Sequence, residues 1–161
     1  ASSANRNRNA KSCINNSTVK WMSAFLPNQV TFRVRYAETD AMGVVHHSRY
    51  LPWMELGRTE FLRQIGFSYR QCEEDGYFFP LIETSCRYHS PAKYDDLVTV
   101  ETIIKDIRPP YIEFSYKITR ETDGLLLVTG ETKQVCINKE GALRREPLRR
   151  MEKLFRNFEK I

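Results

Sequence analysis

Apolar and polar residues alternate along most of the chain, a pattern that is typical of half-buried β-strands. The first alternating segment begins at Val30 and ends at Tyr36. Four more such segments follow in the second half of the chain, over residues 81–89, 97–107, 112–118 and 125–138. Turn residues such as Asp123-Gly124 separate these segments, as expected for hairpins. The pattern therefore predicts five strands, the last four of them antiparallel.

A helical period replaces the alternation between the first two strands. Apolar stripe positions recur there every three or four residues, at Tyr50, Met54, Gly57, Phe61 and Ile65. The helix should begin within residues 48–51, because the proline at position 52 is tolerated only in a first turn. Glycine within a helix costs about 1 kcal/mol relative to alanine, so Gly57 indicates a sheet packed closely against the helix. One long helix beside one sheet predicts an α+β fold.

The remaining segments are assigned from composition. Residues 68–76 are polar and predict a loop, and Pro147–Lys160 predicts a terminal amphipathic helix. Residues 1–29 are rich in Asn and Ser and lack periodicity, so we expect a disordered lead-in before a single domain over residues 30–161. Two origins of the lead-in remain open, an organellar transit remnant or an upstream leader that precedes a start at Met22, and the second is favoured.

Charge and residue counts exclude several classes of function. The lead-in carries four cations and no acid, which accounts for +4 of the net charge of +5. The basic balance is thus mostly a property of the tail and does not indicate a nucleic-acid partner. No apolar run reaches the length of a membrane span. The four cysteines form no paired motif, which favours a reducing compartment, the cytoplasm, or an organellar matrix or stroma if the lead-in is a transit remnant.

Residues 36–50 combine a carboxylate, a glycine and two histidines just before the helix, in the order Tyr-Ala-Glu-Thr-Asp-Ala-Met-Gly-Val-Val-His-His-Ser-Arg-Tyr. Asp40 could act as a nucleophile or as a base for water. The start of the helix supplies backbone N–H donors, and Gly43 allows the chain to double back. The pattern is suited to hydrolysis of an activated acyl group. The structural alternative is that Asp40 only forms an Asx turn or caps the helix.

This motif, with Trp53, Glu55, Arg58, Thr59 and Glu60 behind it, resembles the 4-hydroxybenzoyl-CoA thioesterase family, and within it the YbgC-like acyl-CoA thioesterase branch. The resemblance extends from about Val30 to about Pro147. It implies a hotdog fold, in which a five-stranded antiparallel sheet wraps around one central helix. It also implies a homodimer paired edge to edge, which in this family commonly assembles into a homotetramer.

The resemblance also implies roles for individual residues. Asp40 would be the catalytic carboxylate, and the backbone N–H of His47 would polarise the thioester carbonyl, with its imidazole near water or substrate. The residues expected at the substrate are Tyr36, Gly43, Val44, Val45, His46, Tyr50 and Pro91. His46 stands where the branch usually has Tyr, and Glu38 is interpreted as structural support.

The expected activity is hydrolysis of an acyl-CoA, without a metal or redox cofactor. With three histidines in the chain, and with His46 and His47 adjacent, the spacing of the common zinc motifs is missing. Two alternatives stay open. The substrate could be a thioester of an acyl carrier protein, whose acidic surface would suit the basic C-terminal region. The chain could also bind acyl-CoA without turning it over.

Overall fold

The computed structural model describes residues 27–158, so the predictions for residues 1–26 lie outside the described part of the chain. Five strands form one antiparallel sheet in the order β1-β4-β5-β6-β3. Their bounds are β1 Asn28–Arg33, β3 Leu81–Tyr88, β4 Leu97–Arg108, β5 Tyr111–Arg120 and β6 Leu126–Val135. Two short strands, β2 (Tyr77–Phe78) and β7 (Ile137–Asn138), pair separately. The predicted five-stranded α+β architecture is confirmed.

The long helix α1 (Tyr50–Gln64) packs against one face of this sheet. Its buried side chains meet inward-facing residues of the sheet, among them Val100 of β4 and Phe114 and Ile118 of β5, which have no exposed surface. A Cβ on Gly57 would lie 2.9 Å from Cγ1 of Val100 and still closer to Oγ1 of Thr102. The helix therefore approaches β4 so closely that only glycine fits, as its place on the apolar stripe predicts.

Four predicted boundaries were wrong. The first strand begins at Asn28, so residues 28 and 29 belong to the sheet and not to the predicted lead-in. β1 ends at Arg33, and Tyr36 instead opens a 3-10 turn over Tyr36–Glu38, because the Glu38 side chain accepts a hydrogen bond from the N–H of Arg35 at 2.8 Å. The predicted polar loop contains a short helix, α2 (Tyr69–Glu74), whose first turn is capped by Ser68. The predicted last strand is divided at Cys136 into β6 and β7. The terminal helix is confirmed as α3 (Glu146–Phe158).

A group of polar side chains is enclosed between α1, α2 and the sheet. The Tyr69 hydroxyl donates to Gln134 at 2.6 Å, Gln134 donates to the carbonyl of Phe79 at 2.6 Å, and Tyr116 and Thr132 share a hydrogen bond of 2.7 Å. The guanidinium of Arg58 lies against both tyrosines. We call the five residues the buried polar cluster: Arg58, Tyr69, Tyr116, Thr132 and Gln134.

The two edge strands of the sheet differ in burial. Along β1, half-buried and exposed residues alternate, because one face is covered by α1. Along β3 every residue is exposed except Cys86, which is half-buried. No strand among residues 27–158 pairs with the outer edge of β3. This edge therefore presents backbone groups together with exposed apolar side chains such as Ile82.

Candidate active site

The motif forms a tight hairpin immediately before α1. The N–H of Asp40 donates to the carbonyl of Val44, and the N–H of Gly43 donates back to the carbonyl of Asp40, both at 2.9 Å. Thr39 and Val45 form a bridge that closes the hairpin. Gly43 has a φ of +74°, a conformation that glycine adopts without strain. The local sequence thus folds back on itself and places Asp40 beside the start of the helix.

Asp40 serves as both a turn former and an open carboxylate. Its Oδ1 accepts a hydrogen bond from the N–H of Met42 at 2.8 Å, which is an Asx turn. Its Oδ2 accepts no hydrogen bond from residues 27–158, and Asp40 lines a pocket. The Asx turn is therefore present and fixes the side chain through one oxygen, while the other oxygen remains available. The catalytic role of Asp40 stays a prediction.

His47 begins a 3-10 turn, His47–Arg49, that leads directly into α1. The N–H of His47 makes no hydrogen bond within residues 27–158. This donor lies at the positive end of the helix dipole, so it is suited to an oxygen that gains negative charge.

His46 caps this turn rather than lining the pocket. Its Nδ1 accepts the N–H of Ser48 at 3.3 Å and lies 2.8 Å from the Ser48 hydroxyl. Its ring packs against that of His47, with 4.1 Å between the centroids. His46 therefore holds the start of this turn through its Nδ1.

A pocket of about 310 Å³ opens at this hairpin. Six of the predicted site residues line it, namely Asp40, Val44, Val45, His47, Tyr50 and Pro91. Four further residues line it, namely Met42, Tyr88, His89 and Ser90. Tyr88, His89 and Ser90 directly precede Pro91 in the chain. The predicted position of Pro91 at the substrate therefore already indicated that this Tyr-His-Ser-Pro segment at the end of β3 lies at the pocket.

The structure places three predicted site residues outside the pocket lining. His46 is one, for the reason given above. Gly43 forms the hairpin turn, and apart from its two chain neighbours no residue among 27–158 comes within 4 Å of the position of a Cβ. Tyr36 is 77% exposed and packs edge-on against Tyr94, because the 3-10 turn ends the strand before it and removes Tyr36 from the alternation. Their predicted contact with substrate is not supported by this pocket.

Two tyrosines form the aromatic wall of the pocket. The rings of Tyr50 and Tyr88 meet edge to face, with 5.6 Å between the centroids. The Tyr88 hydroxyl donates to the carbonyl of His47 at 3.0 Å, and the N–H of Ala92 donates to the Tyr50 hydroxyl at 3.3 Å. Burial raises the pKa of both phenols, so both keep their protons at neutral pH. Tyr88 thus connects the end of β3 to the start of the helix.

Within residues 27–158, no group of three or more His, Cys, Asp or Glu side chains is arranged to hold a metal ion. No helix in the same part of the chain is long and apolar enough to cross a membrane.

Known proteins with sequences similar to this chain include two thioester hydrolases. The model of the thioesterase-like superfamily matches residues 34–153. The acyl-CoA thioesterase YbgC of Haemophilus influenzae is 36% identical over 116 residues, which cover 70% of this chain and 84% of that protein. The acyl-CoA thioester hydrolase YbgC of Escherichia coli is 33% identical over 106 residues, which cover 66% of this chain and 78% of that protein.

Solved structures show the same fold. A DHNA-CoA thioesterase from Staphylococcus aureus superposes with a TM-score of 0.77 at 27% identity, over 83% of this chain and 91% of that one. A Thermus thermophilus protein described as hypothetical superposes with a TM-score of 0.72 at 35% identity, over 79% of this chain and 98% of that one. The predicted hotdog fold is confirmed by these neighbours.

Proposed function

Since the chain belongs to the thioesterase-like superfamily, we propose that it hydrolyses acyl-CoA thioesters to a carboxylic acid and coenzyme A. The observation that carries the proposal is the arrangement at the hairpin. The open oxygen of Asp40 lines the same pocket as His47, whose free backbone N–H lies at the helix start. The names of the two YbgC relatives support the same reaction class.

Asp40 supplies the base in the simplest form of this reaction. It takes a proton from water as the water oxygen bonds to the thioester carbon, and the carbonyl oxygen becomes negative. The N–H of His47 donates to that oxygen, aided by the helix dipole. The C–S bond then breaks, and the leaving thiolate receives the proton held by Asp40. The alternative is attack by Asp40 itself, which gives a mixed anhydride that water hydrolyses.

The apolar part of the pocket is suited to the acyl group. Val44, Val45, Tyr50, Tyr88 and Pro91 supply hydrocarbon and aromatic surface next to the carboxylate. The acyl group would lose contact with water there, which favours binding in proportion to the apolar area buried. No redox cofactor or metal enters this scheme, and coenzyme A is part of the substrate.

A homodimer is part of the proposal. The edge strand β3 has an unpaired outer edge within residues 27–158, and Leu81, Ile82 and Tyr88 are 43%, 47% and 49% exposed. An exposed edge with apolar side chains favours pairing with another strand, and a second copy of β3 would supply one. Pairing of dimers into a homotetramer is expected from the resemblance, and sedimentation of the purified protein would measure both steps.

The test of the function is release of free thiol from a panel of acyl-CoA substrates, which differ in chain length and aromatic character. Wild type should turn over members of the panel, and Asp40→Asn should lower kcat/KM by about 10²- to 10⁴-fold, the usual effect of losing a general base. Asp75→Asn, at an exposed carboxylate after α2, is the matched control and should retain full activity.

Two results would contradict this proposal. Near-normal turnover by Asp40→Asn would remove Asp40 from the chemistry. Absence of turnover on every acyl-CoA would favour one of the two alternatives, which are separated by offering the same acyl groups on an acyl carrier protein and by measuring acyl-CoA binding. Hydrolysis of the carrier thioester alone would identify the carrier protein as partner. Tight binding without hydrolysis of either substrate would identify a binding protein.

A further inference from the structure

Glu38 lies two residues before Asp40 but has the opposite environment. Its surface is only 4% exposed, and its carboxylate is occupied by hydrogen-bond donors. The N–H of Arg35 donates at 2.8 Å, the guanidinium of Arg35 at 3.1 Å, and the indole Nε1–H of Trp53 at 2.9 Å. A buried carboxylate with three donors is already satisfied. Glu38 is therefore not a second base for the reaction.

The charge state of Glu38 agrees with this geometry. Burial by itself raises the pKa of the carboxyl, but the hydrogen bonds from Trp53 and Arg35 outweigh it and hold the pKa below its ordinary value. The side chain is thus an anion at neutral pH, and charge-assisted hydrogen bonds of this kind are stronger than neutral ones. The hydrogen bond from Trp53 to Glu38 therefore connects the helix to the segment that precedes it, residues 36–47, which we call the motif loop.

Glu38 connects to both reacting parts of the site. Through its side chain it holds Trp53, three residues into α1, and through its backbone carbonyl it accepts the N–H of His46 at 2.9 Å. His46 directly precedes the proposed oxyanion donor, and Asp40 follows Glu38 on the other side. One residue thus joins the hairpin that carries the carboxylate, the turn that carries the free N–H, and the helix behind them.

We propose that Glu38 is a positioning residue, which sets the separation between the Asp40 carboxylate and the N–H of His47 by tying the motif loop to α1 through Trp53. The inference rests on the proposed thioester hydrolysis. The reaction needs the attacking water, the carbonyl carbon and the N–H of His47 in a fixed relative position. A displacement of one of these groups by about 1 Å is enough to lower the rate by about 10²-fold. Glu38 acts through the other two groups and touches no reacting atom.

Two substitutions break the connection from opposite ends. Trp53→Phe removes the indole N–H but keeps an aromatic ring against Phe32 and Tyr50, which now lie 5.3 and 4.8 Å from the indole centroid. Glu38→Gln keeps the shape of the side chain but turns an amide N–H₂ toward the donors of Arg35. Tyr69→Phe, which removes a donor to Gln134 in the buried polar cluster, is the control for a lost internal hydrogen bond.

Each test variant should lower kcat by about 10- to 100-fold while KM stays within about two-fold, and the double variant should be no slower than the slower single one, because both break one contact. Tyr69→Phe should lower the melting temperature without this loss in kcat. A lower melting temperature with normal kcat in Trp53→Phe and Glu38→Gln would overturn the positioning role and leave Glu38 purely structural.

A crystal structure of Trp53→Phe decides the inference independently of turnover. We expect the separation between the Asp40 carboxylate and the N–H of His47 to differ from the wild-type crystal structure. An unchanged separation would overturn the proposal. If wild type hydrolyses no acyl-CoA, the proposed function fails, and the change in this separation still shows whether Glu38 positions the two groups.

Discussion

The helix α1 contacts two polar regions of opposite character. At its start lies the pocket, where Asp40 keeps an open oxygen and His47 a free N–H. Near its middle lies the buried polar cluster, where the hydroxyls of Tyr69 and Tyr116 and the amide of Gln134 are hydrogen-bonded to protein. The first region leaves polar groups free for a substrate. The second pairs most of its polar groups within the protein, although the Nε of Arg58 has no hydrogen-bond partner in the described part of the chain.

This difference shows how polar residues around one helix can be divided between function and stability. A buried polar group without a partner costs about 1–3 kcal/mol, so open groups are tolerated most easily where water or a ligand reaches them. The hairpin meets this condition because its pocket opens to solvent. Substitutions near the middle of α1 should therefore change stability, and substitutions at its start should change turnover.

The largest effect on stability is expected from Gly57→Ala, close to the buried polar cluster. The new Cβ would collide with Thr102 and with Val100, and overpacking of this kind costs about 1–3 kcal/mol. The free energy of unfolding should fall by that amount in chemical denaturation, with kcat of the folded protein unchanged. Adding Thr102→Ala makes room for the Cβ and should recover part of the loss. Additive effects in the double variant would contradict the packing explanation.

A somewhat smaller effect is expected from Tyr69→Phe. The substitution leaves the Oε1 of Gln134 without its donor, and the free energy of unfolding should fall by about 1–2 kcal/mol. Changing Gln134 to Leu as well removes the orphaned oxygen, although it also removes the hydrogen bond to the carbonyl of Phe79. Thermal and denaturant unfolding would measure both variants. A large fall in kcat for Tyr69→Phe would erase the distinction between the two regions.

Tyr88→Phe tests the pocket region. It removes the hydroxyl that donates to the carbonyl of His47 but keeps the ring against Tyr50. We expect kcat to fall by about 3- to 10-fold, which corresponds to about 1 kcal/mol for one neutral hydrogen bond, with little change in melting temperature. Tyr111→Phe, a partly exposed tyrosine at the start of β5, is the control. Equal kcat values for both variants would show that the hydroxyl of Tyr88 does not support the site.

The smallest effect is expected for Glu38→Gln on the pH dependence of the melting temperature, because only one carboxyl group is changed. The folded pKa of Glu38 lies below its ordinary value of 4.5, so the unfolded chain binds the proton more readily. The stabilisation is fully present above the ordinary pKa and is lost as pH falls through the folded value. The guanidinium of Arg35 faces this carboxyl at 3.1 Å. The fall in melting temperature between pH 7 and pH 3 should be smaller in Glu38→Gln, and an equal fall would contradict this assignment.

Much of the architecture was predictable because it depends on local periodicity. Alternation identified the five main strands, and the helical stripe identified α1, since side chains repeat every two residues in strands and about every 3.6 in helices. The helix α2 was missed because six residues are too few to show a period. The end of β1 was misplaced because a hydrogen bond from the backbone to the Glu38 side chain, rather than a hydrophobic pattern, ends that strand.

The sequence by itself determined the order of the elements, the place of Gly57 against a sheet, and the gathering of Asp40, Gly43 and His47 before one helix. These features arise from residues that are neighbours along the chain. Only the tertiary structure decided that Tyr88, 41 residues beyond His47, hydrogen-bonds to its carbonyl, and that Trp53 satisfies Glu38. Such contacts depend on how the strands and the helix pack in space, and no spacing along the chain records that packing.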